Sequence, residues 1–318
     1  MSLVRRALLK ASQSPWLCAR APRFGFVRRT AKRFLPGETM DAALAAASRL
    51  AENRIATLLT HLGENVEDRA GAEAATAHYL GLLDRIRSAG LPAEISVKLT
   101  QLGLDLDSEF CFANLSKLIE HSLREKSSAG EPARKIVWID MEHSPYVDAT
   151  LELHRRAHNA HRNTGVCVQA YLYRTEDDVA SLISMGAAVR LVKGAYNEPP
   201  EIAFPKKADV DENYFRLAQM LLGAEARRAG VRAALATHDK KLIARISAWA
   251  TTQGIERDRL EFEMLYGIEP REQLRLVREG YRARVLISYG SAWFPWFTRR
   301  LAEHPANAWF LARNLFSG

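Results

Sequence analysis

The stretch VCVQAYLYRTEDDVASLISMGAAVRLVKGAY, residues 166–196, decides the fold. It begins with an apolar run at 166–172, continues through a segment whose apolar residues have helical spacing, and ends in a second apolar run at 188–192. Two short strands joined by a helix pair in parallel, and the crossover between them is right-handed. The stretch is therefore one β-α-β unit.

The same pattern recurs on both sides of this unit. The candidate strands are residues 56–61, 94–99, 135–140, 166–172, 188–192, 232–237, 260–265 and 284–289. Between them, Pro145 and Pro270 stand at first helical turns, and Gly254 and Gly280 at helix ends. Eight units predict an α/β fold, a distorted (β/α)8 TIM barrel with an N-terminal helical extension. A doubly wound open sheet is the alternative.

The charge of the chain is concentrated at its N-terminus. The 318 residues include 45 Lys and Arg against 37 Asp and Glu, a formal net charge of +8. Nine of the bases and none of the acids lie in residues 1–37, which leaves 36 bases against 37 acids in the rest. We therefore predict a basic extension, 1–37, and a barrel domain, 38–318. The near-neutral barrel argues against nucleic-acid binding.

Three interpretations of the extension remain open. An arm or amphipathic helix on anionic lipid fits its mixture of bases and apolar residues. An Arg-rich transit peptide fits its lack of acids, and a solvated terminal extension fits equally well.

Several classes of protein are excluded by missing motifs. There is no apolar run long enough to span a membrane, and none of the three cysteines stands in a C-x-x-C pair. The dinucleotide-binding and phosphate-binding glycine motifs are also absent. His154, His158 and His161 could share a helix face, but Arg155 and Arg156 disfavour a cation there, so we expect a solvated face and no metal site.

Polar residues gather at the C-terminal ends of the predicted strands, which is the face where barrel enzymes hold their catalytic groups. These residues are Lys98, Asp140, Gln169, Arg190, Lys193, His238 and Tyr289. Lys98 and Asp140 follow neighbouring strands and are expected to form an ion pair, which is either functional or structural. Arg190 and Lys193, just before Gly194, are placed to stabilise an anion or an electron-rich ring.

The segment YGSAWFPWFTRRLAE, residues 289–303, is the most specific local feature. Its paired arginines, Arg299 and Arg300, lie among aromatic residues, and guanidinium groups in an apolar pocket suit a carboxylate. A surface helix with two arginines that reach solvent is the alternative.

In these stretches the sequence resembles the proline dehydrogenase family over about residues 33–316. The matching stretches are SVKL (96–99), IDME (139–142), VQAY (168–171), RLVKGAY (190–196), THD (237–239), LYG (265–267) and RRLAE (299–303). The resemblance implies a monofunctional flavoenzyme on a TIM barrel that uses FAD to oxidise L-proline to Δ1-pyrroline-5-carboxylate. It also implies hydride transfer to flavin N5 and a quinone as electron acceptor, as part of proline catabolism.

The resemblance further implies roles for individual residues. Lys98, Arg299 and Arg300 bind the substrate carboxylate, and Asp140 supports Lys98. Tyr196, Leu265 and Tyr289 wall the substrate pocket, and Glu64 pairs with an active-site arginine as a gate. The implied flavin contacts are Gln169, Arg190, Val192, Lys193, Gly194, Thr237, His238 and Glu303.

Two pocket positions depart from the family pattern. Leu286 and Trp296 each stand where the family usually has tyrosine. One changed group in such a pocket alters discrimination by about 1–3 kcal/mol. A substituted proline analogue or biosynthetic intermediate is therefore an alternative substrate, and a non-catalytic ligand-binding barrel is an alternative of another class. We expect a cytoplasmic protein, peripheral on the inner face of the membrane through residues 1–37, or a mitochondrial matrix protein if the source is eukaryotic.

Overall fold

The computed structural model describes residues 24–63, 66–123 and 135–303, together with Ser14, Trp16, Arg20 and Ala21. Eight parallel strands close into a barrel in sequence order, and the last strand pairs with the first. The strands are β1 (Ala56–His61), β2 (Ala93–Val97), β3 (Val137–Ile139), β4 (Thr164–Gln169), β5 (Ala188–Val192), β6 (Arg232–Ala236), β7 (Glu261–Leu265) and β8 (Arg282–Tyr289). The predicted (β/α)8 barrel is confirmed, and closure between β8 and β1 excludes the open sheet.

The strand predictions agree to the residue for β1 and β5 and miss the ends of others. The structure ends β4 at Gln169, not at residue 172, because the amide of Leu172 bonds back to the carbonyl of Gln169 at 3.2 Å and turns the chain. An apolar run alone does not show where such a turn begins.

Helices cover the outside of the barrel. They are α1 (Gly25–Ala31), α2 (Met40–Ala51), α3 (Arg69–Ser88), α4 (Ser108–Ser122), α5 (Val147–Ala160), α6 (Thr175–Ser184), α7 (Lys207–Leu222), α8 (Ala224–Ala229), α9 (Lys240–Thr252), α10 (Pro270–Arg278) and α11 (Trp293–Glu303). The largest apolar core lies between these helices and the strands. Alternate strand residues face the barrel axis instead, because side chains along a strand alternate in direction.

The barrel interior contains an apolar layer above a charged one. Trp138 is fully buried, and Leu58, Ala234 and Leu286 pack with it. Nearer the N-terminal ends of the strands lie two glutamates and two arginines that pair with one another: Glu94, Glu261, Arg232 and Arg284. We call these four residues the lower ion network.

Helix α1 packs on α11 at the mouth of the barrel. Val27, Ala31 and Phe34 are buried in one cluster with Trp293 and Phe297. The turn after β7 approaches the same segment so closely that a Cβ at Gly267, where φ is +75°, would lie 1.7 Å from the carbonyl oxygen of Arg33. Part of the predicted extension thus belongs to the packed body, and the division at residue 37 stays a prediction.

The histidine face of α5 differs from its prediction. His154 and His158 are 0% and 1% exposed, so they pack inward and the expected solvated face is wrong for both. Burial, reinforced by the neighbouring His158, lowers the pKa of His154 to about 3, which keeps it neutral. Among the described residues, no helix combines the length and apolar character needed to cross a bilayer.

Candidate active site

An ion chain joins three strands at the C-terminal face. Lys98 and Asp140 directly follow β2 and β3, and the ammonium of Lys98 donates to Oδ2 of Asp140 at 2.7 Å. From β5, Nη2 of Arg190 donates to Oδ1 of Asp140 and, at 3.0 Å, to the hydroxyl of Ser96. The structure thus confirms the predicted Lys98–Asp140 pair and adds Arg190 to it.

Asp140 is ionised in this arrangement. Burial alone would raise its pKa, but the charges of Lys98 and Arg190 and the hydrogen bonds to its oxygens outweigh burial and hold the pKa far below its usual range. A carboxylate that accepts from two cations and a hydroxyl is a poor proton acceptor. Asp140 therefore orients the two cations and is not suited to be a general base.

Lys193 belongs to a second, more exposed cluster. Its ammonium donates to Asp211 at 2.5 Å and to Asp239 at 3.0 Å. Asp239 also accepts from the backbone amides of Lys241 and Leu242 at the start of α9. Burial opposes the hydrogen bond and charge of Lys193, but the pKa of Asp239 still falls to about 2. The lysine is thereby fixed just beyond the end of β5.

The loops after β6 and β7 are tied together by His238. Its Nε2 accepts the backbone N–H of Leu265 at 2.8 Å. Because that nitrogen is an acceptor, the ring proton of the neutral histidine lies on Nδ1. The neighbouring hydroxyl of Thr237 accepts the amide of Asp239 at 3.1 Å. Three of the predicted residues on these loops, Thr237, His238 and Leu265, therefore lie in one connected structure.

Several buried polar atoms at this face have no hydrogen-bond partner in the part of the chain that the structure describes. Among them are Oε1 of Gln169 and Nη1 of Arg190. The amide nitrogen of Gln169 is fixed by the carbonyl of Glu142 at 3.1 Å, which leaves the oxygen as the unused end. Buried polar groups without partners indicate a missing ligand or water.

The predicted pocket wall is built from several segments. Val192 and Gly194 are half-buried at the end of β5, where φ of Gly194 is +111° and a Cβ would lie 2.4 Å from the Tyr171 ring. Tyr196 follows, with its ring 5.8 Å from that of His143. On α11, Trp296 is buried, and the guanidinium of Arg300 lies 5.9 Å from its ring centre.

Three of the predicted site residues cannot be placed in full. The side chains of Arg299 and Glu303 lie outside what the structure describes, although both residues are on α11. Glu64, predicted to form a gate, lies outside the described residues. Their roles stay predictions.

The two β8 residues predicted to line the pocket point in opposite directions. Leu286 faces the barrel axis and packs against its apolar layer. Tyr289 is fully buried in the layer between barrel and helices, where its hydroxyl lies 2.7 Å from Nε2 of His78 on α3. His78 in turn stacks on His61, with ring centres 4.1 Å apart. The structure thus gives Tyr289 a contact beneath the mouth, and its pocket role stays a prediction.

Some residues that matter here were not found from the sequence. Ser96 supports Asp140, and Glu263 lies between Arg190 and Arg284 inside the barrel. For Glu263 the signal was the alternation in EFEML, residues 261–265, where two acids alternate with apolar residues. Such alternation on a strand places both acids on the inward face.

Comparison with known proteins gives a consistent result. The family model described as proline dehydrogenase matches residues 43–313. Proline dehydrogenase 2 of Bacillus subtilis (strain 168) is 34% identical over 313 residues, covering 98% of this chain and 99% of the relative. Proline dehydrogenase of Deinococcus radiodurans is 34% identical over 320 residues, covering 99% of both chains.

Solved structures agree on the fold. The crystal structure of proline utilization A from Bdellovibrio bacteriovorus, inactivated by N-propargylglycine, is 26% identical with a TM-score of 0.77 over 86% of this chain. This chain spans only 32% of that protein. Proline utilization A from Corynebacterium freiburgense, at 18% identity and a TM-score of 0.73, shares the fold. The chain therefore belongs to the proline dehydrogenase family and is an oxidoreductase that acts on proline.

Proposed function

We propose that this chain uses FAD to oxidise L-proline to Δ1-pyrroline-5-carboxylate. The observation that carries the proposal is the ion chain of Lys98, Asp140 and Arg190 at the C-terminal face of the barrel. The helix that includes Arg299 and Arg300, α11, follows β8 at the same face. Cations of fixed orientation beside an apolar wall suit a small substrate with one carboxylate.

The described residues fit a flavin. The unpartnered Oε1 of Gln169 needs a donor, and the unpartnered Nη1 of Arg190 needs an acceptor. The polar edge of an isoalloxazine ring offers both kinds of atom. Lys193, His238 and Thr237 lie on the loops that follow β5 and β6, at the same face. When bound there, the flavin supplies the acceptor for a hydride from the substrate carbon next to the ring nitrogen.

The chain itself contributes orientation and charge. Lys98, Arg299 and Arg300 bind the carboxylate of proline, and Asp140 holds the Lys98 ammonium in place. Anchoring the carboxylate converts a chance encounter into a reactive geometry. The substrate amine must be neutral before its neighbouring carbon gives up a hydride, so activity rises with pH through the titration of the bound amine.

Leu286 and Trp296 bear on which cyclic imino acid the chain oxidises. Leu286 faces the barrel axis, where it supplies an apolar contact and no hydroxyl. Trp296 puts an indole next to Arg300. These two residues favour tolerance for a substituted proline analogue beside proline itself, and they give no hydrogen bond to a ring hydroxyl.

We further propose a quinone as electron acceptor and a peripheral position on the cytoplasmic face of the membrane. The outer side of α1 supports this, because Arg28, Arg29 and Lys32 are exposed there and line an open groove of about 630 Å³ with Trp293. Basic residues near a surface favour anionic lipid. Because α1 also packs on α11, deleting α1 would disturb the barrel mouth, so the test changes two exposed bases only. We expect R29E/K32E to reduce binding to anionic vesicles without loss of flavin.

The central experiment is anaerobic flavin bleaching of the purified protein with a panel of cyclic imino acids. We expect yellow protein that L-proline bleaches. Colourless protein that cannot be reconstituted with FAD would contradict the proposal and favour a ligand-binding barrel. Fast bleaching by proline alone would end the hypothesis of a second substrate.

A further inference from the structure

Charges of alternating sign run down the inside of the barrel. Below Asp140 lies Arg190, then Glu263, and then Arg284 of the lower ion network. Arg190, Glu263 and Arg284 come from three different strands, and Asp140 directly follows a fourth. Glu263 is therefore the link between the candidate active site and the lower ion network.

Glu263 is bonded far more loosely than its neighbours. Its oxygens lie 3.9 Å from Nε of Arg190 and 3.8 Å from Nε of Arg284, both beyond hydrogen-bond distance. Its side chain is 3% exposed, and Oε1 has no hydrogen-bond partner among the described residues. A buried carboxylate oxygen without a hydrogen bond carries a cost of lost hydration that the two more distant cations offset only in part.

Glu261, two residues earlier on the same face of β7, shows the opposite state. It accepts from Arg232 at 2.9 Å and from Arg284 at 2.8 Å. These two cations and their hydrogen bonds outweigh burial and lower its pKa to about 2. Both glutamates therefore lie on the same face of β7 and are buried. They differ in that the arginines lie within hydrogen-bond distance of Glu261 but farther from Glu263.

The surroundings of Glu263 determine its protonation. Burial raises its pKa most strongly and Glu261 adds to this, while Arg190, Arg284 and Arg232 lower it, and the net result is a pKa of about 7. Burial raises the pKa of Tyr214 on α7, and the negative charge of Glu263 raises it further, so this tyrosine is neutral. A carboxyl group whose pKa is raised in this way exchanges its proton nearer to neutral pH than an ordinary glutamate does.

We propose that Glu263 is a positioning residue whose proton sets how firmly Arg190 is held between two carboxylates. When Glu263 is ionised, Arg190 lies between Glu263 and Asp140. When Glu263 is protonated, Asp140 is the one anion among the described residues that stays paired with Arg190, and more of the arginine charge is available at the mouth. The proposal rests on the proposed function, in which Arg190 contacts the flavin.

The first test observes the proton directly. Infrared difference spectra of the holoenzyme are recorded over a pH titration, in wild type, E263Q and the matched control E261Q. We expect a carboxylic-acid carbonyl band that disappears around neutral pH in wild type and that E263Q lacks. In E261Q the band should remain but disappear at a lower pH, because the neighbouring charge that helps to raise the Glu263 pKa is gone. A wild-type spectrum without that band, or a band that persists in E263Q, would overturn the proposal.

The second test links the proton to the reaction. The kcat for L-proline and the flavin absorbance of the resting enzyme are followed against pH in the same three proteins. We expect an inflection near neutral pH in wild type that E263Q loses in both measurements. An unchanged pH profile in E263Q would reduce Glu263 to a structural residue.

The two proposals can fail separately. If the protein holds no flavin or does not oxidise proline, the infrared titration still decides whether Glu263 exchanges a proton. If E263Q does not fold, E263D replaces it, because the shorter carboxylate should shift the midpoint of the inflection instead of removing it.

Discussion

The upper and lower halves of the barrel interior contain similar charges but use them differently. In the lower ion network, Glu94 accepts from Arg232 and from the Trp138 indole, and Glu261 accepts from both arginines. In the upper half, Arg190, Gln169 and Ser288 each keep a buried polar atom without a partner among the described residues. The lower half thus satisfies its own charges, whereas the upper half keeps bonding capacity that our proposal assigns to a ligand.

The strongest way to break this comparison is to remove a cation from the lower half. R284M leaves Glu94 and Glu261 with one arginine between them. Leaving a buried charge unpaired costs about 3–5 kcal/mol, so we expect that loss in the free energy of unfolding. Denaturant unfolding measures it, and the folded fraction should retain its flavin. A loss of flavin without a loss of stability would show that the lower half also serves the site.

The matched change in the upper half is D140N, which removes the anion shared by Lys98 and Arg190. Because the two cations lose their fixed orientation, we expect kcat/KM for proline to fall by roughly 100-fold, the size of effect that a misplacement of about 1 Å produces. Steady-state kinetics on folded protein measure the change. A fall of only a few fold would mean that Asp140 acts mainly as a structural residue.

A change at the boundary between the halves sharpens the comparison. L286Y introduces the tyrosine that the family usually has at this position, and so adds a hydroxyl at the apolar layer below the mouth. We expect it to change the preference between proline and a ring-substituted analogue by about 1–3 kcal/mol, with little effect on stability. The ratio of kcat/KM values for the two substrates gives the result. An unchanged ratio would show that Leu286 does not contact the substrate.

The smallest expected effect concerns His61, whose ring packs against His78 and Tyr289 below the mouth of the barrel. Burial, with the neighbouring His78 as a second cause, lowers the pKa of His61 from 6.5 to about 4 in the folded chain. The unfolded chain therefore binds more protons, and stability declines as pH falls from 6.5 towards 4. We expect H61Q to weaken this decline. Thermal unfolding across that range tests it, and an identical slope in both proteins would count against the prediction.

The sequence predicted the fold well because strand and helix periodicities are local. It also predicted that Lys98 and Asp140 would meet, since consecutive parallel strands end at one edge. It did not predict Arg190 as their third member or Glu263 below it, because these contacts join distant strands across the barrel axis. Nor did it show that Tyr289 turns outward, although alternation from Leu286 contains that information.

The packing of α1 against α11 has a consequence for how the molecule is made. These two helices come from opposite ends of the described chain, and their shared cluster lies at the mouth. Contacts so distant in sequence form late, since the intervening chain must be ordered first. During synthesis the strands of the barrel can therefore pair before α1 and α11 meet at the mouth, so the mouth is the last part of the described fold to be completed.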